Sequence, residues 1–524
     1  MIHKATVVAA TLTGLYVVHK IAEFRRAVHA VNDHPGLRTL LNTLGPMENF
    51  FPRIWGVTPG TYHMFLRKHR DFDLYGWDVI TYVSAFWGSR TNFYVADADA
   101  LNEITTYRAR FPKAIDQYKV LQFFGGNIVA SEGEEWKRYR KITAPAFSER
   151  NNKLVWDETK LIVQDLFENV WGEQKEISLD HAVDITLPLA LFVIGIAGFG
   201  RRVRWVDEEK LPSGHQMSFK SSLHTVSEKV FERLVIPEWL LKLGPTKHIR
   251  EIRTSFDELE KYLLEMIQER RHAETKEERY DLFSSLLDAN DAESDNGEQN
   301  LTDSELIGNL FIYLLAGHET TAHTLCFVFA LLALYPDEQE ELYKHITAVV
   351  PDGELPEYEH MTDLTYCIAV LYETMRLFPP VHSIPKSVAE DTTLTITNAA
   401  GEKTTLVMPA GSTISMHIPG LHYNPRYWKD PHAFKPSRFL DPDWRRDAFL
   451  PFSAGPRACL GRRFSETESV ATIAMVVLRY KITVKEEARF AGETFEERKE
   501  RVLRSRPGVS QTPIRVPLTF TRRE

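Results

Sequence analysis

The chain has 524 residues, of which 43% are hydrophobic and 26% charged, and its formal net charge is −9. This length is far above that of a usual single domain, and the composition is that of an ordinary globular protein. A net negative charge gives no reason to expect a nucleic-acid partner. The three cysteines, Cys326, Cys367 and Cys459, are too few and too scattered for a disulfide framework, which suits a reducing compartment.

The N-terminal segment at residues 5–18 is mostly apolar, although threonines and Gly14 dilute the run. Its length is compatible with a membrane-spanning helix, with a helix lying on the membrane, with a buried helix or with a signal peptide. No small-residue cleavage site follows it, which argues against secretion. The basic residues after the run outnumber those before it, so the positive-inside rule places the rest of the chain in the cytosol.

The remaining pattern predicts a mostly helical protein with a small amount of β-structure. A linker rich in proline and glycine is expected before residue 56. The predicted helices outside the motifs described below are at residues 61–70, 98–108, 185–199 (in the core) and 255–271 (on the surface). The predicted strands are hairpins at 80–84 with 92–96 and at 393–397 with 404–408, and a strand at 413–416. Residues 272–300 are highly charged and are predicted to be a solvated loop or a mobile linker.

One long helix is predicted over residues 302–335, with Thr302 and Glu305 forming a capping box and Pro336 ending the helix. Its apolar residues cover almost every face, so we expect it to cross the core. The sequence AGHETT lies in its middle, at residues 316–321. Glycine, ionisable groups and threonines are costly inside a core helix. The segment therefore indicates either a functional site or a kinked helix with a satisfied polar patch.

A loop of small residues, FSAGPRACLG at residues 452–461, holds Cys459 and precedes a predicted helix at residues 467–478. A cysteine thiolate in such a loop is a good soft ligand for iron. Arg457 can neutralise an anionic group by a charge-assisted hydrogen bond, and Phe452 can shield the sulfur from water. The alternative is a free core cysteine, which is what most lone cysteines are.

Trp136 and Arg140 lie four residues apart, on one face of a predicted amphipathic helix. The same helix carries the basic residues Lys137, Arg138 and Lys141. Such a run is typical of a solvated face, and next to a redox cofactor it could also receive an acidic electron donor.

Glu373 and Arg376 lie three residues apart on a helix predicted over residues 362–378, and Arg438 follows in the sequence KPSRF. A glutamate–arginine pair at this spacing is most often a surface salt bridge that contributes roughly 0–1 kcal/mol. If the three charges were buried together, removing one of them would cost ~3–5 kcal/mol.

These motifs, in this order over residues 131–465, resemble those of the cytochrome P450 family. The cysteine loop matches the family's haem-binding signature, and AGHETT matches its oxygen-activation motif. The family pairs Glu-x-x-Arg with Pro-x-Arg-Phe, as at Glu373, Arg376 and Arg438, and carries Trp-x-x-x-Arg on a helix. Lys386 departs from the family pattern, because many members carry an arginine there.

The resemblance implies the cytochrome P450 fold, which is mainly α with a small β region in a single large domain. That domain would span residues 56–524, after an N-terminal membrane anchor at residues 1–24 and a linker at residues 25–55. The resemblance also implies the cofactor haem b (iron protoporphyrin IX) with Cys459 as the metal ligand. Gly455 and Gly461 would let the loop turn tightly beside the haem.

The resemblance assigns further roles residue by residue. Glu319 and Thr320 would be catalytic, delivering protons during dioxygen activation. Glu373, Arg376 and Arg438 would form a structural ion triad. The residues at the family's cofactor-binding positions are Trp136, Arg140, Ala316, Gly317, Phe452, Arg457 and Gly461. Phe123 and Phe124 would lie over the haem, which suits an apolar substrate.

The implied activity is a monooxygenase that inserts one atom of O2 into an apolar small molecule, with electrons from an NADPH-cytochrome P450 reductase. The overall resemblance to fungal microsomal members implies an anchor in the endoplasmic reticulum membrane and a cytosolic catalytic domain. It also suggests a hydroxylation in secondary metabolism, with a terpenoid as the suggested substrate. The alternatives are a haem-thiolate isomerase or dehydratase and a non-catalytic haem-binding protein. Glu319 and Thr320 argue against the isomerase, which needs no proton delivery to dioxygen.

Overall fold

The structure is a computed structural model, and it describes residues 2–41, 51–60, 62–86, 91–201, 205, 211–272, 281–295, 300–351 and 354–523. In chain order, its helices are α1 (Ile2–His29), α2 (His63–Arg67), α3 (Arg70–Tyr75), α4 (Ala98–Thr106), α5 (Gly133–Thr143), α6 (Glu149–Asp165), α7 (Val183–Val193), α8 (Phe219–Val235), α9 (Glu238–Leu243), α10 (Lys247–Arg271), α11 (Leu282–Asp295), α12 (Asp303–Leu334), α13 (Pro336–Val349), α14 (Thr365–Leu377), α15 (Ile418–His422), α16 (Arg462–Arg479) and α17 (Phe495–Val502).

The strands are β1 (Gly36–Thr39), β2 (Val79–Ser84), β3 (Thr91–Val95), β4 (Glu176–Leu179), β5 (Ser383–Ser387), β6 (Thr392–Thr397), β7 (Lys403–Met408), β8 (Thr413–His417), β9 (Tyr480–Val484), β10 (Ser505–Arg506), β11 (Thr512–Pro513) and β12 (Leu518–Arg522). The strands are short and the helices dominate, so the predicted class, mainly α with a small β region, is confirmed.

The chain divides into two compact units, each assembled from separate segments. The first unit comprises Met1–Ala114, Val381–Ala433 and Arg445–Cys459. The second unit comprises Ile115–Pro380, Phe434–Trp444 and Leu460–Glu524.

The first unit is built on a five-stranded sheet in the order β1-β2-β3-β8-β5. The antiparallel pair β2 and β3 is the hairpin predicted at 80–84 and 92–96, and the antiparallel pair β6 and β7 is the one predicted at 393–397 and 404–408. Every residue of β2, β3 and β8 is buried, because both faces of these strands are covered.

Helix α1 extends from Ile2 to His29, beyond the predicted anchor at residues 1–24. Its part Thr6–His29 has a mean hydropathy of 1.3 and none of it is buried. Among the described residues it is the helix that is long and apolar enough to cross a membrane. The range predicted as a linker, residues 25–55, contains the end of α1 and strand β1, which pairs with β2.

The second unit is organised around α12, which packs against α7 and α14. The helix begins where predicted: Glu305 N–H donates to Thr302 Oγ1 at 3.3 Å, and Thr302 N–H donates to Glu305 Oε2 at 2.8 Å. It ends at Leu334, before Pro336. Most of its residues are buried, so the prediction of a helix that crosses the core is confirmed.

One prediction for this unit was wrong. Helix α11 (Leu282–Asp295) occupies much of the range predicted as a solvated loop at 272–300. Leu282, Phe283, Leu286 and Leu287 form one buried helical face, which the many charged residues around it obscured in the composition. Helix α10 contains the surface helix predicted at 255–271 and begins earlier, at Lys247; it buries one apolar face and leaves the opposite, charged face exposed.

Candidate active site

The cysteine loop belongs to the first unit and has a tightly bonded backbone. A 3-10 turn at Gly455–Arg457 is closed by a hydrogen bond from Ala458 N–H to Gly455 O at 3.0 Å. Cys459 N–H donates to Phe452 O at 2.9 Å. These bonds fix the position of the cysteine, which lies in a loop without regular secondary structure.

Cys459 is exposed, whereas Cys326 and Cys367 are both fully buried. Free cysteines behave as small hydrophobic residues and are usually buried, so the exposed Cys459 requires another explanation. Arg457 and Phe452 beside it are half-buried. A rigid loop that presents a thiol next to a guanidinium fits a soft metal ion in an anionic macrocycle, as in a haem.

The two glycines of this motif differ in conformation. Gly455 has φ of +65°, and a Cβ atom there would lie 2.6 Å from the carbonyl oxygen of Thr105, so the position requires glycine. Gly461 has φ of −82° and caps α16, and a Cβ atom would meet only a ring carbon of Phe147 at 3.7 Å. The positive φ at Gly455 agrees with the predicted tight turn, whereas Gly461 needs no left-handed conformation, and its close approach to the haem stays a prediction.

An open strip of small residues interrupts the buried surface of α12 in the second unit. Ala316 is exposed and Gly317 and Thr320 are half-buried, although Leu315 and Thr321 beside them are buried. Thr320 Oγ1 donates to Ala316 O at 2.7 Å, so the hydroxyl is held against the helix. An accessible strip without bulky side chains, on a helix that otherwise crosses the core, fits the face of a planar cofactor and a diatomic molecule.

Glu319 is buried on the same helix. Its Oε1 atom accepts hydrogen bonds from Ser510 N–H at 3.3 Å and from Ser510 Oγ at 3.2 Å. Burial raises the pKa of Glu319 to about 7, although the hydrogen bonds from Ser510 oppose this rise. A carboxyl with this pKa can both give up and accept a proton near neutral pH.

The histidines of α12 have different surroundings. His318 Nδ1 lies 2.7 Å from Leu314 O, and burial lowers the pKa of His318 to about 4, so the ring is neutral. His323 Nδ1 lies 2.8 Å from Ser510 Oγ. Sequence reasoning missed Ser510, because it lies in a turn between β10 and β11 with no local motif.

Glu373, Arg376 and Arg438 come together as an ion triad within the second unit, and the Arg438 side chain is 12% exposed. Arg376 donates to both carboxylate oxygens of Glu373, from Nε at 2.7 Å and from Nη2 at 2.8 Å. Arg438 Nε donates to Glu373 Oε1 at 3.1 Å, and Lys435 N–H donates to the same oxygen at 2.9 Å. The side chains of Glu373 and Arg376 are 0% exposed, so this is not the surface salt bridge that the spacing alone would favour.

Trp136 is buried on α5 and Arg140 is half-buried on the same face, with its guanidinium carbon 5.9 Å from the Trp136 ring centroid. Arg138 is not part of a solvated basic face, which corrects that expectation. Its Nη1 atom donates to Glu305 Oε2 at 3.1 Å and to Asn300 O at 2.8 Å. Lys386, in the first unit, is buried on β5.

Comparisons with known proteins show which family the chain belongs to. A family model described as Cytochrome P450 matches residues 79–507. The chain is 55% identical over 521 residues to "Cytochrome P450 monooxygenase 124" of Postia placenta, covering 99% of this chain and 100% of that protein. It is 33% identical to "Cytochrome P450 monooxygenase ORF6" of Penicillium roqueforti, covering 75% and 74% of the two chains.

Among solved structures, a crystal structure of the cytochrome P450DA heme domain matches with a TM-score of 0.74 at 21% identity, covering 94% of this chain and 98% of that one. This match shows a shared fold. The chain belongs to the cytochrome P450 family. It is a cytochrome P450 monooxygenase, an oxidoreductase whose cofactor is a haem with a thiolate ligand. The predicted family, fold and enzyme class are confirmed.

Proposed function

We propose that this monooxygenase inserts one atom of O2 into a C–H bond of an apolar small molecule, with electrons from an NADPH-cytochrome P450 reductase. The observation that carries the proposal is the open strip of Ala316, Gly317 and Thr320 on α12, next to the buried carboxyl of Glu319. Small residues, a held hydroxyl and an acid with a pKa of about 7 suit a reaction that binds a small gas and consumes protons.

The cofactor in this proposal is haem b, with Cys459 as the iron ligand. Arg457 supplies a positive charge for a propionate, and Trp136 and Arg140 supply two further polar groups at the family's propionate-binding positions. Phe452 limits the access of water to the sulfur. When bound, the haem supplies the redox chemistry of dioxygen cleavage, which a thiolate ligand favours.

The protein's own part in the reaction is proton management. Glu319 can hold and release a proton near neutral pH, because burial raises its pKa to about 7. Thr320 is the next residue, and its hydroxyl can accept a hydrogen bond while it donates to Ala316 O. Glu319 and Thr320 have no comparable task in a peroxide isomerase or dehydratase, so the monooxygenase is favoured over that alternative.

The apolar substrate is supported by aromatic residues of the second unit. Phe124 stacks on Phe256 with ring centroids 5.6 Å apart and contacts Phe311 at 4.6 Å. Phe123, Phe124 and Phe256 also line a cleft of about 240 Å³, but most of the other residues that line it are charged, so the support for an apolar substrate comes from the packed aromatic rings. The proposed hydroxylation in secondary metabolism, and a terpenoid substrate, rest on the similarity to fungal monooxygenases.

The absorbance of the reduced, carbon monoxide-bound protein tests the thiolate ligand. We expect a strongly red-shifted Soret band in the wild-type protein and its loss in Cys459→Ala, which should also abolish activity. Cys367→Ala removes a buried thiol and should keep the shifted band. An unshifted wild-type band, or a shifted band in Cys459→Ala, would contradict the proposal. Product analysis with purified reductase and candidate terpenoids then tests the substrate.

The proposed location is the endoplasmic reticulum membrane, with α1 as a single-pass anchor and the catalytic part in the cytosol. The exposed apolar side chains of Leu12, Leu15 and Val18 on α1 support it. Replacing these three residues with serine should release the chain from the microsomal fraction. If the triple variant sediments with membranes as fully as the wild-type chain, α1 is not the anchor.

A further inference from the structure

A buried hydrogen-bonded cluster connects α12 to the turn between β10 and β11. Glu319 and His323 are four residues apart on α12 and share one helical face. Ser510 lies between them, with its Oγ atom 3.2 Å from Glu319 Oε1 and 2.8 Å from His323 Nδ1. Ser510 is 2% exposed, and the side chains of His323 and Glu319 are 8% and 9% exposed.

The number of protons on each group fixes the direction of these hydrogen bonds. The Ser510 hydroxyl has one proton, which it donates to Glu319 Oε1, so its oxygen accepts from His323 Nδ1–H. Neutral His323 therefore carries its proton on Nδ1, and Nε2 is left as an acceptor. The other carboxyl oxygen, Glu319 Oε2, is buried and has no hydrogen-bond partner among the described residues.

This arrangement allows a balanced proton transfer. A proton taken up from water at His323 Nε2 makes the ring cationic. Nδ1–H then passes to Ser510 Oγ while the hydroxyl proton of Ser510 moves to Glu319 Oε1. Glu319 ends protonated, Ser510 ends with one proton, and His323 ends neutral with its proton on Nε2.

The charges around the cluster favour transfer toward Glu319. Burial raises the pKa of Glu319 to about 7; Ser510 and Arg506 oppose the rise, and Glu228 adds to it. Burial lowers the pKa of His323 to about 3, and the nearby His318, His181 and Arg506 lower it further. The imidazolium is therefore a much stronger acid than the Glu319 carboxyl, so it gives up a proton readily and is cationic only transiently.

We propose that His323 and Ser510 form a proton-transfer chain that returns a proton to Glu319 Oε1 after Glu319 has given one up from Oε2. The proposal rests on the proposed role of Glu319 in proton delivery. It adds two residues that lie outside the oxygen-activation motif, one of them far away in the sequence.

The test compares five variants with the wild-type holoenzyme, one of them Glu319→Gln. Ser510→Ala removes the hydroxyl, His323→Leu removes the donor, and His323→Asn keeps an amide N–H near the Nδ1 position but cannot pass a proton on. The matched control is Thr512→Val, because Thr512 Oγ1 donates to the Ser510 carbonyl at 3.1 Å in the same turn. Normal carbon monoxide-bound spectra establish that each variant has bound haem correctly.

Two measurements are made on each variant. The first is the solvent deuterium isotope effect on turnover, together with the peroxide released per NADPH. The second is the infrared titration of the Glu319 carboxyl in the resting protein, assigned by its loss in Glu319→Gln. This infrared titration does not depend on the activity of the enzyme.

We expect Ser510→Ala, His323→Leu and His323→Asn to slow product formation about tenfold and to release more peroxide, because a proton-transfer step is lost. Ser510→Ala should also raise the titration midpoint of Glu319, since the Ser510 hydrogen bonds lower that pKa. Thr512→Val should match the wild-type protein in every measurement.

The proposal would be overturned if Ser510→Ala released no more peroxide per NADPH than the wild-type protein and showed the same solvent isotope effect. Wild-type turnover in His323→Asn alongside a defect in His323→Leu would show that His323 only positions Ser510, which also overturns it. Glu319→Gln distinguishes failure of this inference from failure of the proposed role of Glu319 in proton delivery. If Glu319→Gln is impaired while the other variants are not, only this inference fails; if Glu319→Gln is unaffected, the proposed role of Glu319 fails as well.

Discussion

Glu373 is the common acceptor of the ion triad, so Glu373→Ala is the sharpest test of its stabilising role. The variant leaves the guanidinium of Arg376, which is 0% exposed, without the two hydrogen bonds at 2.7 and 2.8 Å that Glu373 now accepts from it. It also leaves Arg438 Nε and the backbone N–H of Lys435 without that acceptor.

The expected magnitude follows from this burial. Stranding a buried charge costs ~3–5 kcal/mol of the free energy of unfolding, whereas losing a neutral hydrogen bond costs about 1–3 kcal/mol. The two effects share partners and are not additive, so we expect a loss of about 4 kcal/mol. Because Pro436–Phe439 is held to α14 through this triad and leads along the chain to the cysteine loop, the purified variant should contain little haem.

The assay is urea unfolding together with haem content per chain, measured on Glu373→Ala and on Glu341→Ala. Glu341 and Lys344 form a pair with the same three-residue spacing, but their side chains are 59% and 64% exposed. Such a surface pair contributes roughly 0–1 kcal/mol. If the two variants lose equal stability, or if Glu373→Ala binds haem normally, the argument from burial is refuted.

Two further predictions concern α12 and its neighbours. Thr320→Ala should lower product formed per NADPH roughly tenfold and release peroxide. Thr324→Ala loses an equivalent hydrogen bond, from Thr324 Oγ1 to the carbonyl oxygen of Thr320 at 2.8 Å, and should not release extra peroxide. Equal peroxide release from the two variants would show that Thr320 has no role in the mechanism. Glu305→Gln should cost about 1 kcal/mol at neutral pH. Burial raises the Glu305 pKa, but hydrogen bonds led by that from Arg138 outweigh it and lower the pKa from 4.5 to about 2. The difference in unfolding free energy from wild type should therefore vanish as the pH falls from 4.5 to 2, and a pH-independent difference would contradict this explanation.

The features predictable from sequence are those with local causes. The limits of α12 follow from a capping box at Thr302 and from Pro336, both within a few residues of the ends they determine. The hairpins follow from alternating β-formers on either side of a turn. Helix α11 was missed because its buried face has only a few apolar residues among many charged ones, so average composition concealed its periodicity.

The candidate site shows the same division between local and distant causes. Motif matching located Glu319 on α12, but its proton affinity depends on burial and on Ser510, which is 191 positions away. Arg138 likewise resembled a solvated residue until its partner Glu305, 167 positions away, was identified. A motif therefore specifies which acid is present, while the fold determines whether that acid can exchange a proton at working pH. Ser510→Ala leaves the motif unchanged and alters only the surroundings of Glu319, so this substitution tests the contribution of the fold by itself.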